Sequence, residues 1–165
     1  MKELTPRLAA VAALVRPGSR LADIGTDHAY LPVWLVAQGI CPFAIASDIG
    51  EGPANSARRT ISEAELSHLI PVRVGDGLAS IQPGEVEDIA IAGMGGETIA
   101  AILEAAPWVA SERYHLVLQP MSKPERLRRF LLERGFGIEK ETVLAEGERL
   151  YCVMSVTFTG EMKTP

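Results

Sequence analysis

Apolar residues recur along this chain in two rhythms that take turns. Leu4, Leu8, Val11, Leu14 and Val15 fall at helical spacing. Thr5 and Pro6 open that helix and Pro17-Gly18 closes it. A short apolar strand over 20–24 follows and stops at Gly25. Helix 29–38 comes next, with Gly39 as its C-terminal glycine and Pro32 in its first turn, where a missing N–H costs little. Asp27 is placed to cap that helix. Strand 43–47 ends in Asp48, and a polar helix over 51–66 carries Pro53 in its first turn. Strand 70–74 ends in Gly75-Asp76-Gly77, and strand 86–92 runs into Gly93-Met94-Gly95-Gly96. Helix 98–106 is stopped by Pro107, and strand 114–119 ends in Gln119-Pro120. Helix 123–134 turns Leu127, Phe130, Leu131 and Leu132 inward, and Gly135 ends it. Two last strands, 136–144 and 150–158, surround Glu146-Gly147-Glu148 as an antiparallel pair.

Strand alternating with helix predicts a parallel sheet with helices on both faces, and the closing pair adds a reversed final strand. The sum is an α/β, Rossmann-like sheet of seven strands, the architecture of class I methyltransferases. Ligands of such sheets sit at the carboxyl ends of the strands. Asp23, Gly25, Asp27, His28, Asp48, Asp76 and the stretch 93–96 all fall there.

The chemistry at those ends discriminates between ligands. An acid closing the second strand, about 20 residues beyond a glycine turn, is where a ribose is held; the alternative for Asp48 is a helix cap or a solvated loop. Asp76 in an Asp-Gly turn either accepts from an exocyclic amine or simply makes the turn. A dinucleotide loop would read G-x-G-x-x-G. Here it reads Gly25-Thr26-Asp27-His28-Ala29. An anionic side chain beside a pyrophosphate is repulsive by about a few kcal/mol. A sulfonium cation with an amino group suits Asp23 and Asp27, so the cofactor expected is S-adenosyl-L-methionine.

Composition narrows the picture further. With 165 residues, 47% hydrophobic and 22% charged, a single domain over 1–165 is expected, its first 18 residues a helix packed on it. A net charge of −5 argues against nucleic-acid binding by overall charge, while a local basic patch stays open. Arg126, Arg128, Arg129 and Arg134 are read as a solvated helix face, with phosphate binding as the alternative. Cys41 and Cys152, with no CxxC pair, fit a reduced cytoplasmic protein. No apolar run approaches the roughly 20 residues of a membrane span. His68 and His115 stand alone without metal-ligand spacing, so no metal is expected.

The segments ADIGTDHAYLP (22–32), GDGL (75–78), IAGMGG (91–96) and LQP (118–120), in this order and spacing, resemble the TrmK family. These are bacterial tRNA (adenine(22)-N1)-methyltransferases. The likeness runs from about Leu4 to about Thr159. It implies S-adenosylmethionine as cofactor and tRNA as partner, the methyl going to N1 of an adenine in the D-arm. It also implies roles for residues. Asp23, Gly25, Asp27 and His28 line the methionine end; Asp48 takes the ribose hydroxyls and Ile49 packs beside the adenine. Asp76 and Gly77 meet the adenine edge. Gly93, Met94, Gly95 and Gly96 floor the site near the transferred methyl, with Gly96, Gln119 and Pro120 bordering the target base. Asp27, His28 and Tyr30 are the candidates for contact with the reacting base, Tyr30 by stacking; the alternatives are a backbone-bonded histidine and a core tyrosine. Family members continue past the last strand into a helical, coiled-coil-like extension, so the likeness is to the catalytic domain without it. Monomer and dimer are both compatible with the sequence. A methyltransferase for another RNA or a small molecule, and a non-catalytic binding module, are the alternatives.

Overall fold

The structure, a computed structural model, describes residues 3–163. The first two residues of the expected N-terminal helix and the last two of the chain lie outside it. Seven strands form one sheet: β1 (Leu21–Ile24), β2 (Ala44–Asp48), β3 (Val72–Val74), β4 (Asp88–Met94), β5 (His115–Pro120), β6 (Phe136–Glu146) and β7 (Arg149–Phe158). Their order is β3-β2-β1-β4-β5-β7-β6. All neighbours are parallel except β5–β7 and β7–β6, so β7 alone runs against the rest. The reversed final strand expected from the closing hairpin is therefore present.

Helices α1 (Pro6–Leu14), α2 (Tyr30–Ala37), α3 (Glu51–Glu63), α4 (Gly96–Glu104) and α5 (Pro124–Glu133) flank the sheet. Alternation along each strand sorts the core into two layers, since successive side chains point to opposite faces. Leu21, Ala44, Ala46, Ala90 and Val117 pack against Val11 of α1, Leu35 of α2 and Ile61 of α3. Ile24, Ile45, Ile91 and Leu118 pack against Ile99 and Leu103 of α4 and Leu127 and Leu131 of α5. β1 lies centrally, with β2 and β4 paired on its two edges, Asp23 standing in register with Ala46 and Ala90. The chain leaves β1 toward β2 and β3, then crosses back to β4 and β5, so a topological switch point falls between β1 and β4.

Helix α1 is fastened to the sheet at both ends. Thr5 caps it, its hydroxyl accepting from the Leu8 N–H at 3.3 Å. The Arg7 backbone N–H donates to Glu146 at 3.1 Å, and the Arg16 guanidinium grips Asp88 at 2.8 Å. Asp88 also bonds His115 Nδ1 at 2.8 Å, and His115 Nε2 meets Ser155 Oγ at 2.6 Å, all three residues being buried. This network ties β4, β5 and β7 together at the amino end of the sheet, far along the strands from the carboxyl edge. His115 is thus structural, and His68 is exposed.

Three of the four arginines between 126 and 134 are matched by acids. Arg126 pairs with Glu97 at 2.8 Å, Arg128 with Glu141 at 2.9 Å and Arg134 with Glu104 at 3.2 Å. That supports the solvated-face reading over a phosphate site. Cys41 and Cys152 are free thiols, and burial pushes Cys41 up to about 11. Among the described residues, no helix is long and apolar enough to cross a membrane, and no cluster of three or more His, Cys, Asp or Glu is placed to hold a metal.

Candidate active site

The turn after β1 is built on backbone conformations most residues avoid. Gly25, Asp27 and Ala29 all have positive φ, at 73°, 56° and 61°. Glycine takes this conformation freely, whereas for alanine it costs about 1 kcal/mol or more. Such strain collects where a fold commits backbone to a task. The turn is held by its neighbour: Gly25 and Thr26 N–H both donate to the Ser47 carbonyl at 2.9 Å, and the Asp27 N–H donates to Asp48 Oδ2 at 2.9 Å.

These contacts correct the expected helix cap. Ala29, in the left-handed region, is the residue that precedes α2, and no side chain caps the helix. The Asp27 N–H is taken by Asp48, and its carboxylate is 71% exposed, 3.9 Å from His28 Nε2. Asp27 therefore stands at the mouth of the site and does not start the helix.

Asp23 lies below that mouth on the α1–α2 face of the sheet. It is 5% exposed, and its Oδ2 accepts from the Thr26 hydroxyl at 2.7 Å. Burial pushes its carboxyl up to about 7; the Asp48 charge adds to this, while the Thr26 hydrogen bond and Arg7 oppose it. Asp23, Gly25, Asp27, His28, Tyr30 and Arg7 line one cavity of about 220 Å³. The rings of His28 and Tyr30 stack over it at 5.2 Å, 18° from parallel.

Asp48 joins this cavity to the next strand. Its Oδ1 accepts from the Gly50 N–H at 3.4 Å and its backbone carbonyl accepts from Gly75 N–H at 2.9 Å. A carboxylate has about four lone-pair sites, so Asp48 keeps capacity for a ligand's hydroxyls. Ile49 beside it is 68% exposed, an apolar side chain standing in solvent at the strand end. Asp76 and Gly77 line a separate groove of about 540 Å³ that runs along α4 to Trp108. Asp23, Gly25, Asp27, His28 and Tyr30 thus line one concavity and Asp76 and Gly77 another, while Asp48 and Ile49 line neither.

The glycine stretch after β4 divides by role. Gly25 leaves room for Met94: a Cβ there would lie 2.4 Å from the Met94 methyl. Gly93 faces α1, where an added Cβ would meet Arg7 Nη1 at 3.4 Å. Gly95 packs on Ser122, and a Cβ on Gly96 would stand 2.3 Å from the Lys123 carbonyl oxygen. Gly96 is buried and its N–H donates to Ser122 at 2.7 Å. The close approach that this glycine signals is thus to the chain's own backbone. Gln119 and Pro120 are also buried. Gln119 Oε1 accepts from Gly93 N–H at 2.9 Å and from Arg7 Nη1 at 2.8 Å, while Nε2 donates to the Pro120 carbonyl at 3.1 Å. In this state Gln119 braces the floor from behind.

Arg7 is the residue that sequence reasoning missed. It sits on α1, remote in sequence from every motif, and only the packing of α1 on the same face of the sheet as Asp23 brings the two to one cavity. Its lone signal was a positive charge early in an apolar helix.

The sheet order and the site at the carboxyl edge define a Rossmann-like methyltransferase fold. The family described as a methyltransferase domain matches residues 4–154. The tRNA (adenine(22)-N(1))-methyltransferase of Bacillus subtilis (strain 168) is 40% identical over 152 residues, covering 92% of this chain and 64% of that protein. The chain thus spans less than two thirds of that relative's length. The crystal structure of the B. subtilis m1A22 tRNA methyltransferase TrmK superposes with a TM-score of 0.92 at 38% identity, over 97% of this chain and 68% of that one. A Streptococcus pneumoniae protein solved in complex with S-adenosyl-L-methionine also superposes with a TM-score of 0.92 at 38% identity, over 99% of this chain and 76% of that one. The chain belongs to the methyltransferase-domain family and, within it, to the TrmK family.

Proposed function

We propose that residues 1–165 form one methyltransferase domain that uses S-adenosyl-L-methionine to methylate N1 of adenine 22 in the D-arm of tRNA. The observation that carries the reading is the acid-lined cavity at the carboxyl end of β1, bonded through Asp27 to Asp48. Its donor set fits this cofactor. Asp23 and Asp27 repel a pyrophosphate and suit a sulfonium and an ammonium, and Asp48 has lone pairs for ribose hydroxyls. The names of the TrmK relatives supply the substrate.

When bound, S-adenosyl-L-methionine would supply an electrophilic methyl carbon to the lone pair of adenine N1, which needs no prior loss of a proton, the carbon–sulfur bond breaking to release S-adenosyl-homocysteine. The residues of this chain then have positioning and electrostatic work to do. Asp23 and Thr26 hold the amino-acid end, Asp48 and Ile49 the nucleoside, and Asp76 with Gly77 the adenine edge. Gly93, Met94 and Gly95 form the floor. Positive charge arises on the target base, and Asp27 at the mouth stabilises it or accepts a proton from N6, His28 standing next to it. N1 lies on the Watson–Crick edge, so the base is presented unpaired or flipped out. Tyr30, half-buried over the cavity, offers it a stacking face.

The test is transfer of a tritium-labelled methyl group from S-adenosyl-L-methionine to unmodified tRNA, with a transcript lacking adenine 22 as control. Transfer that disappears with the adenine supports the proposal. Transfer indifferent to that change, or none to either tRNA, overturns the substrate reading.

A further inference from the structure

The last two strands reach past the rest of the sheet. Pairing of β5 with β7 stops at Leu118 opposite Met154, whereas β6 and β7 stay paired out to Glu146 opposite Arg149. β6 runs the same way as β5, so this overhang leaves the sheet at its carboxyl edge, the edge on which Gln119 and Pro120 end β5. Gly147 and Glu148 close it in a two-residue turn, Gly147 taking a φ of 63°. Turns of this length match the twist of the paired strands, which makes the overhang a stiff arm.

The two faces of the arm differ. Side chains directly opposite one another in an antiparallel pair share a face. On one face Val153 and Leu144 pack in the core layer under α1, and Glu146 accepts the Arg7 N–H at 3.1 Å. On the other, Arg128 of α5 grips Glu141 at 2.9 Å, and Met154 opposite Glu141 belongs to the core. Beyond that pair this face is bare. Val143 is 66% exposed, Leu150 is 74% exposed, and Ala145 opposite Leu150 is exposed too. Glu148 sits in the turn and Arg149 lies over the Tyr151 ring, 5.5 Å from its centre, so the tip carries charge of both signs. A phosphate gains little there. What the arm offers is a projecting apolar edge on the side of the sheet where the site opens.

Apolar side chains that enter between base steps partly unstack them, and a base taken out of a stem leaves a gap that something must hold. Resting on the tRNA reading of the active site, we propose that the β6–β7 arm is an RNA wedge: Leu150, backed by Val143 and Ala145, enters the D-arm beside adenine 22 and keeps its pair open while the base is in the site. Three small apolar side chains fall short of the roughly 1,000 Å² that a stable interface between two copies needs, whereas a single leucine suffices for one base step.

The experiment is single-turnover methylation of two tRNA transcripts by the full chain. One has adenine 22 paired; in the other the partner base is replaced so that adenine 22 stands unpaired. Leu150→Ser is expected to slow the paired transcript about 10- to 100-fold and to leave the unpaired one within about 2-fold. Leu150→Met, which keeps an apolar wedge, stays near the unsubstituted rate on both. A 2-aminopurine beside adenine 22 reads the opening without turnover: its fluorescence rises when the unsubstituted chain binds the paired transcript and stays low with Leu150→Ser. An equal loss on both transcripts, no loss on either, or sedimentation showing that Leu150 holds two copies together overturns the proposal while leaving the tRNA reading standing. Failure of the unsubstituted chain to methylate either transcript overturns both.

Discussion

Asp23→Asn is the substitution whose consequences the structure defines most sharply. Asparagine is isosteric, and its carbonyl can keep the Thr26 hydroxyl bond that Asp23 accepts at 2.7 Å. What it removes is a titration. Burial raises Asp23 from its ordinary range to about 7. The folded state thus holds the proton more tightly than the unfolded chain, and its stability falls as pH rises between the two values. A shift of about 3 units is worth about 4 kcal/mol in all, and about 3 kcal/mol of it is lost between about pH 4.5 and about pH 8. Urea denaturation of both proteins at several pH values measures this. The wild-type chain should lose about 3 kcal/mol more than Asp23→Asn over that interval. A cationic amine in the cavity favours the ionised carboxylate, so S-adenosyl-homocysteine should release a proton on binding below about pH 7, seen as a buffer-dependent binding enthalpy. Two parallel stability profiles, differing by less than about 0.5 kcal/mol in slope across the range, would refute the reasoning.

Other outcomes follow from the same geometry. Asp48→Ala removes the acceptor of the Asp27 N–H and the lone pairs assigned to the ribose, and should weaken S-adenosyl-homocysteine about 10- to 100-fold by calorimetry; an unchanged affinity would dismiss the ribose assignment. Gly25→Ala puts a side chain on backbone at a φ of 73°, 2.4 Å from the movable methyl end of Met94, and should destabilise by about 1–2 kcal/mol in chemical denaturation, the cost of the left-handed conformation. Adding Met94→Ala should recover little of that loss, because the methionine end moves aside, and a coupling energy above about 1 kcal/mol would contradict this. Asp88 behaves opposite to Asp23. Burial opposes its ionisation, but hydrogen bonds from His115 and Arg16 prevail and hold its carboxyl below the ordinary range. Its contribution is present above the ordinary carboxylate range and lost as pH falls below it, so Asp88→Asn should flatten the acid limb of the stability profile.

The elements were legible because hydrophobic period and glycine punctuation agree. Leu8 and Val11 mark α1 by spacing, and the apolar runs before Gly25, Asp48 and Gly93 end where strands end. The cofactor edge was legible for the same reason, since acids and glycines that close strands share one end of a parallel sheet. Four features were not legible. Asp27 has the composition of a helix cap, yet its N–H is claimed by Asp48, a residue of another strand, and Ala29 takes the left-handed position. Gly96 signals a close approach, but its partner, the Lys123 carbonyl, depends on how the turn before α5 folds back. Arg7 reaches Asp23 and Gln119 only because α1 crosses that face of the sheet, and a pairing across so many residues leaves no local pattern. The Asp88–His115–Ser155 network was hidden likewise, because Ser155 meets His115 only through the antiparallel placement of β7 beside β5.

The central claim is that the acids at the ends of β1 and β2 hold S-adenosyl-L-methionine. A crystal structure of this chain with S-adenosyl-homocysteine tests it most directly. The ribose hydroxyls should lie on Asp48, with the amino-acid end in the cavity between Asp23 and Arg7. A ligand seated elsewhere, such as wholly within the groove between α4 and Trp108 with Asp23 and Asp48 untouched, would contradict it.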